Sequence, residues 1–292
     1  MSKVYDQIQA KVCGMLEKGI VPWHQCYAEC VKPVSHGTGK PYQGINRMLL
    51  MRGGQYWTWK QVQEAGLKVR KGCHAEQIYF WGKCTRVREV NIDGEDLIEM
   101  GGVKMFLRCY SVFHESDVEG APQTRPEIDP NKNNGIIQKP DEVVKAYFER
   151  TGIPFREMEC VPHYGHNDLL GLEEIAIPPK CMFDTLDDYY HTLFHEMVHS
   201  TGAPSRLNRQ KGGRFGSNEY AKEELVAEMG ASQLAAETGL DMTTLDNSAS
   251  YCANWLGKLK NDIKWFVLAA SRADRAVDFI LDRHEDEVSE SA

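Results

Sequence analysis

The chain has 292 residues, a formal net charge of −8 and nine cysteines at irregular spacing. It contains no run of about eighteen apolar residues and no charged-then-apolar leader, so neither a membrane-spanning helix nor a secretory signal is expected. An odd number of scattered cysteines without an export signal points to reduced thiols and a cytoplasmic setting, and the length allows two domains of mixed α+β class, each with its own core.

Val4, Ile8, Val12 and Met15, followed by Gly19, predict an amphipathic opening helix. The −8 conceals an asymmetry, because residues 1–90 carry 14 Lys and Arg against 6 Asp and Glu, while the remainder carries 20 against 36. A basic front half is the electrostatic footprint of nucleic-acid contact, since Lys and Arg that neutralise phosphates supply most non-specific affinity. Aromatics are interleaved with these cations, a pattern that suits unpaired bases stacking on π-surfaces. Lys40, Tyr42, Arg47, Trp57, Trp59, Lys60, Lys68, Arg70, Lys71 and Trp81 are therefore the candidate contacts for single-stranded DNA. Gly37 to Lys40 is not a phosphate-binding P-loop, because the glycine spacing differs and Pro41 stands where Ser or Thr is needed. Neither His24 with Cys26 and Cys30 nor Cys73 with His74 and Cys84 has the second pair that a zinc finger requires.

Glu76 to Val90 and Val103 to Phe113 read as strands joined by a turn at 91–94. Repeated Pro, Asn and Gly then break every periodic pattern, so 1–114 is expected to be the DNA-binding domain, 115–140 a linker and 141–292 the second domain. Within that domain Asp141 to Arg150 is helical and Leu172 to Pro178 a strand, expected at a sheet edge where a substrate chain could add as a further strand. Segments 249–260 and 264–283 close the chain as helices.

Between them lies His195-Glu196-Met197-Val198-His199. On a helix running from Thr185 to His199, capped by Thr185 with Asp188, the two histidines share a face one turn apart. Their ring nitrogens can meet on one ion, while Glu196, about 100° away around the helix, is free to act as the general base, the catalytic residue. A catalytic zinc takes three protein ligands and keeps a fourth position for water. No histidine follows until His284, so a carboxylate must complete the set, and the helical stretch Glu219 to Glu237 offers Glu219, Glu223, Glu224 and Glu228. The run Glu224-Leu225-Val226-Ala227-Glu228 resembles the thermolysin-type arrangement, in which a ligating Glu precedes by four residues an acid that orients a ligand histidine. That likeness makes Glu224 the expected third ligand of one Zn2+ and Glu228 the orienting acid.

Lys18 to Trp23, Thr38 to Asn46, Val69 to Gly72, His195 to Gly202, Arg206-Leu207 and Tyr220 to Glu228 together resemble the ArdC family of antirestriction proteins. The resemblance implies an N-terminal single-stranded-DNA-binding domain joined to a C-terminal zincin metallopeptidase-like domain. It further implies protection of incoming plasmid or phage DNA from host restriction, with restriction machinery or other DNA-bound proteins as the expected protein substrates. A non-catalytic single-stranded-DNA-binding shield with a structural or vestigial metal site is the alternative. Tyr164, Tyr220 and Tyr251 are the candidates for an electrophile in the transition state.

Overall fold

The computed structural model describes residues 3–24, 32–92, 95–124, 139–167, 172–209, 218–240, 253–257 and 263–283. The N-terminal unit runs α1 (Lys3–Leu16), β1 (Pro33–Ser35), α2 (Ile45–Leu49), β2 (Gly54–Thr58), α3 (Trp59–Glu64), β3 (Lys68–Val69), β4 (Glu76–Ile92), β5 (Glu95–His114) and β6 (Val118–Glu119). The C-terminal unit contains α4 (Pro140–Thr151), β7 (Phe155–Glu157), β8 (His163–Asn167), β9 (Leu172–Ile177), α5 (Leu186–Thr201), α6 (Asn218–Thr238) and α7 (Ile263–Ile280). The class is α+β, as expected, and among the described residues no helix is long and apolar enough to cross a membrane.

In the N-terminal unit a four-stranded sheet has the order β1-β2-β5-β4, parallel only between β1 and β2. The β4–β5 hairpin pairs as far as Ile92 with Glu95, so its second strand begins earlier than the expected Val103. Buried Asn46 fastens α2 to β4: its side chain donates to the Tyr79 carbonyl at 2.8 Å and accepts the Tyr79 N–H at 2.6 Å, as a neighbouring strand would. The expected linker is corrected at its start. Residues 115–119 return to the N-terminal unit, where β6 pairs with β3, and the buried Glu115 carboxylate accepts the backbone N–H of Gln55 at 2.8 Å and of Thr124 at 2.6 Å. Residues 125–138 lie outside the described ones.

β9 is also corrected. It lies in the middle of a three-stranded sheet, parallel to β7 and antiparallel to β8, so the open edges belong to those two strands. Of the expected helix at 249–260, residues 253–257 are helical and the others lie outside the description.

The two units do not bury separate cores. Ile8, Val12 and Leu16 of α1, Trp23, and Met48 and Leu49 of α2 belong to the same hydrophobic cluster as Leu193, Met197, Val226, Phe266 and Val277 of α5, α6 and α7. Polar ties run in parallel, with buried Glu237 on α6 paired with Lys32, with Arg47 at 3.3 Å and with Arg283 at 2.9 Å. Helices α5 and α6 pack closely because Gly230 presents no side chain to Val198.

Candidate metal centre

Thr185 starts α5, its hydroxyl accepting the Asp188 N–H at 3.1 Å, and the apolar face Tyr189, Leu193, Phe194, Met197 and Val198 is fully or nearly buried. That register sets His195 and His199 side by side, with ring centroids 4.7 Å apart and Nε2 atoms 3.0 Å apart. Opposite them α6 presents Glu224, whose Oε1 lies 3.3 Å from His199 Nε2 and whose Oε2 lies 3.6 Å from His195 Nε2. Two donors each about 2.1 Å from a tetrahedral zinc stand about 3.4 Å apart. The three separations cluster around that value, so the donor set fits such an ion. Among the described residues this is the one group of three such side chains whose donor atoms all lie within 4.8 Å of one another.

Each imidazole has a carboxylate behind it. Glu228 Oε2 faces His195 Nδ1 at 3.3 Å, and Glu223 Oε1 faces His199 Nδ1 at 3.8 Å. Glu223 is held by Arg209 at 2.9 Å, and Arg209 also donates to the Val198 carbonyl near the end of α5. The sequence reading places Glu228 in this role but misses Glu223 and Arg209. The repeated acid Glu223-Glu224 was a usable sign, since adjacent helical residues diverge by about 100° and reach opposite nitrogens of one ring.

Burial opposes charge on His195, but hydrogen bonding to Glu224 and Glu228 outweighs it and pushes the imidazole up to about 10. Burial works to raise the Glu224 and Glu228 carboxyls, but His195 and His199 beside Glu224, and His195 and His24 beside Glu228, hold them far below the ordinary carboxylate range. The pocket is therefore built for positive charge among ionised acids. Glu196, 7% exposed, lies close enough for its charge to be felt at His195, His199 and Tyr220. Burial, and after it the Glu224 carboxylate, pushes the Tyr220 hydroxyl up to about 12. Tyr164 is instead committed to Glu173 at 2.9 Å and Arg206 at 3.2 Å, and Tyr251 lies outside the described residues.

The candidate DNA contacts divide. Lys40, Lys60, Lys68, Arg70 and Lys71 are exposed, as are Trp59 and Trp81. Three expectations are corrected. Trp57 is 4% exposed, packed with Val62 and Val118 and stacked on His36 at 3.3 Å between centroids. Tyr42 is 6% exposed in a cluster with Tyr56 and Ile78, and Arg47 is spent on Glu237. The sheet carries aromatics that the candidate set omitted: the pairings Phe80 with Arg108 and Ile78 with Tyr110 put Phe80, Arg108 and Tyr110 on one face, all exposed. Cys26 and Cys30, which the sequence sets beside His24, lie outside the described residues.

This geometry is that of a zincin-like metallopeptidase domain appended to a separate sheet-bearing unit, and the family description "Zincin-like metallopeptidase" matches residues 142–272. The description "N-terminal domain of anti-restriction factor ArdC" matches residues 2–113. The metal-free crystal structure of the antirestriction ArdC protein from plasmid R388 is 30% identical, covers 96% of this chain and 97% of its own, and superposes with a TM-score of 0.69. Its Mn(II)-bound form is 28% identical, covers 98% and 99%, and gives 0.68. The chain belongs to the ArdC family of antirestriction proteins. It is also 26% identical to the uncharacterised protein y4eC of Sinorhizobium fredii, over 95% of this chain and 91% of that one. The DNA primase TraC of Escherichia coli is 28% identical over 98% of this chain, which spans only 28% of TraC.

Proposed function

We propose that the chain protects transferred DNA from restriction by binding single strands through its N-terminal unit and hydrolysing peptide bonds of proteins met there, with one zinc ion held by His195, His199 and Glu224. The observation that carries the catalytic reading is the buried Glu196 beside a three-donor cluster. A purely structural zinc is closed by four protein ligands and needs no adjacent base. The bound ion supplies Lewis acidity toward a water and the substrate carbonyl. Glu196 accepts the water's proton and returns it to the leaving amine. Tyr220, protonated at neutral pH, donates to the oxygen that gains charge. Glu228 and Glu223 hold the imidazoles by their Nδ1 sides. The substrate chain lies along β8, the outer strand nearest α5, as an added strand. A divalent ion in the R388 protein supports the metal assignment.

The DNA reading draws support from the exposed Phe80, Tyr110 and Arg108 on one sheet face, together with Trp59, Trp81 and the exposed lysines. Bases stack on such rings while cations follow the backbone. The decisive test is plasmid transfer into a restricting recipient with wild type and Glu196→Ala. Loss of protection, with metal content and DNA binding retained, is the expected result. Full protection by Glu196→Ala overturns the peptidase reading in favour of a strand-coating shield.

A further inference from the structure

Arg206 follows α5, and its side chain is only 9% exposed. Its guanidinium joins three elements. Nε donates to the Ser200 carbonyl in the last turn of α5 at 2.7 Å, a terminal nitrogen donates to the Tyr164 hydroxyl of β8 at 3.2 Å, and the fork pairs with the Glu173 carboxylate of β9. Tyr164 in turn donates to Glu173 at 2.9 Å, which closes the set. It does so on the core face of the sheet, where Tyr164 stands opposite buried Ile175. The helix end that Arg206 holds is itself fixed, because the Ser200 hydroxyl meets the buried Tyr147 hydroxyl of α4 at 2.6 Å.

β8 needs such a tie more than β9 does. β9 has a neighbour on each side, whereas among the described residues β8 pairs only with β9 and has Gly165 at its centre. A residue without a side chain weakens a strand that is hydrogen-bonded along one edge alone. A planar guanidinium, with its donors in a rigid fork, holds several acceptors at set angles; a flexible ammonium does not. Ser200 is the residue after His199, so this one group registers β8 against the turn of α5 that carries a candidate ligand.

We propose that Arg206 is a positioning residue for the substrate: through Tyr164 and Glu173 it fixes the distance and twist of β8 relative to α5, so that a peptide added on β8 presents its carbonyl to the His195, His199 and Glu224 cluster. This rests on the reading of β8 as the strand that receives substrate. Displacement of a bound chain by about 1 Å is enough to spoil such an alignment.

The test uses the full chain in its Co(II) form, whose visible bands report hydroxamate binding. The probes are acetohydroxamate and hydroxamates carrying a tetra-alanine arm on either side of the metal-binding group. In wild type the better-placed arm is expected to tighten binding by roughly tenfold or more, the net worth of a few strand hydrogen bonds. Tyr164→Phe removes one oxygen and leaves the Arg206–Glu173 pair, while Arg206→Lys keeps the charge without the fork. Each should cut the gain from the arm to within about threefold, with zinc affinity and acetohydroxamate binding as in wild type. A full gain from the arm in either variant overturns the proposal, as does an equal weakening of acetohydroxamate, which marks general damage to the site. No gain in wild type overturns instead the placing of substrate on β8.

Discussion

A Cβ on Gly230 would stand 2.7 Å from Cγ2 of Val198, the residue before His199. The short, stiff valine cannot swing aside, so any side chain at 230 forces α6 away from α5. Gly230→Ala is expected to cost roughly 1–3 kcal/mol by overpacking and to weaken metal binding by moving Glu224 from the histidines. Chemical denaturation and zinc competition measure both, and an unchanged zinc affinity would show that the helix spacing does not set the site.

The purified chain should hold one divalent ion. His195→Ala and His199→Ala should each release it, and Glu224→Gln should weaken it more than Glu228→Gln, whose loss is expected to be about 10–100-fold. Elemental analysis with competition titration reads the order, and the reverse order exchanges the roles of the two acids.

Single-strand affinity should fall by roughly 1–3 kcal/mol for Phe80→Ala or Tyr110→Ala if each ring stacks on a base. Charge reversal at Lys68, Arg70 and Lys71 should flatten the salt dependence, the logarithmic slope changing by about 2. Trp57→Ala should instead lower stability, by about 3–5 kcal/mol. Fluorescence anisotropy across a salt series separates these effects; a binding loss confined to Trp57→Ala would move the interface off the exposed face.

Glu237 provides a pH dependence with a definite sign. Burial works to raise its pKa, but Arg283, Lys32 and Arg47 prevail and draw it down to about 2. A folded-state pKa below the unfolded value stabilises above the unfolded pKa and loses that contribution as pH falls from about 4.5 to about 2. Glu237→Gln, which leaves three cations facing a neutral amide, should cost about 3 kcal/mol at pH 7, and the gap from wild type should close on acidification through that window. A gap independent of pH would mean that the carboxylate acts by packing alone.

The periodic elements were legible in sequence. Helix α5 follows from its apolar face and its Thr185 cap, α6 from its apolar positions, and the His-Glu-x-x-His spacing already implies a shared face on one turn. What was not legible depends on long-range partners. Arg47 reads as a DNA contact until Glu237, far along the chain, is seen beside it. Trp57 and Phe80 are both strand aromatics, and alternation alone does not say which side of the sheet is covered. β9 reads as an edge because its partners are short: β7 has three residues, and β8, with Gly165 in its middle, has five. Glu223 and Arg209 were missed because a carboxylate on a helix ordinarily faces water.

Trp23 and the faces of α1 and α2 lie in the same core as α5, α6 and α7, so the N-terminal unit and the candidate metal centre share one hydrophobic core. A tethered pair of domains samples many separations, and its reach is set by linker length. On the proposed function, a shared core makes the offset between a bound nucleotide and the cleavage point a fixed length, so the fold would act as a ruler: proteins seated at one distance along the strand would be presented to the catalytic water, and those nearer or farther would be passed over.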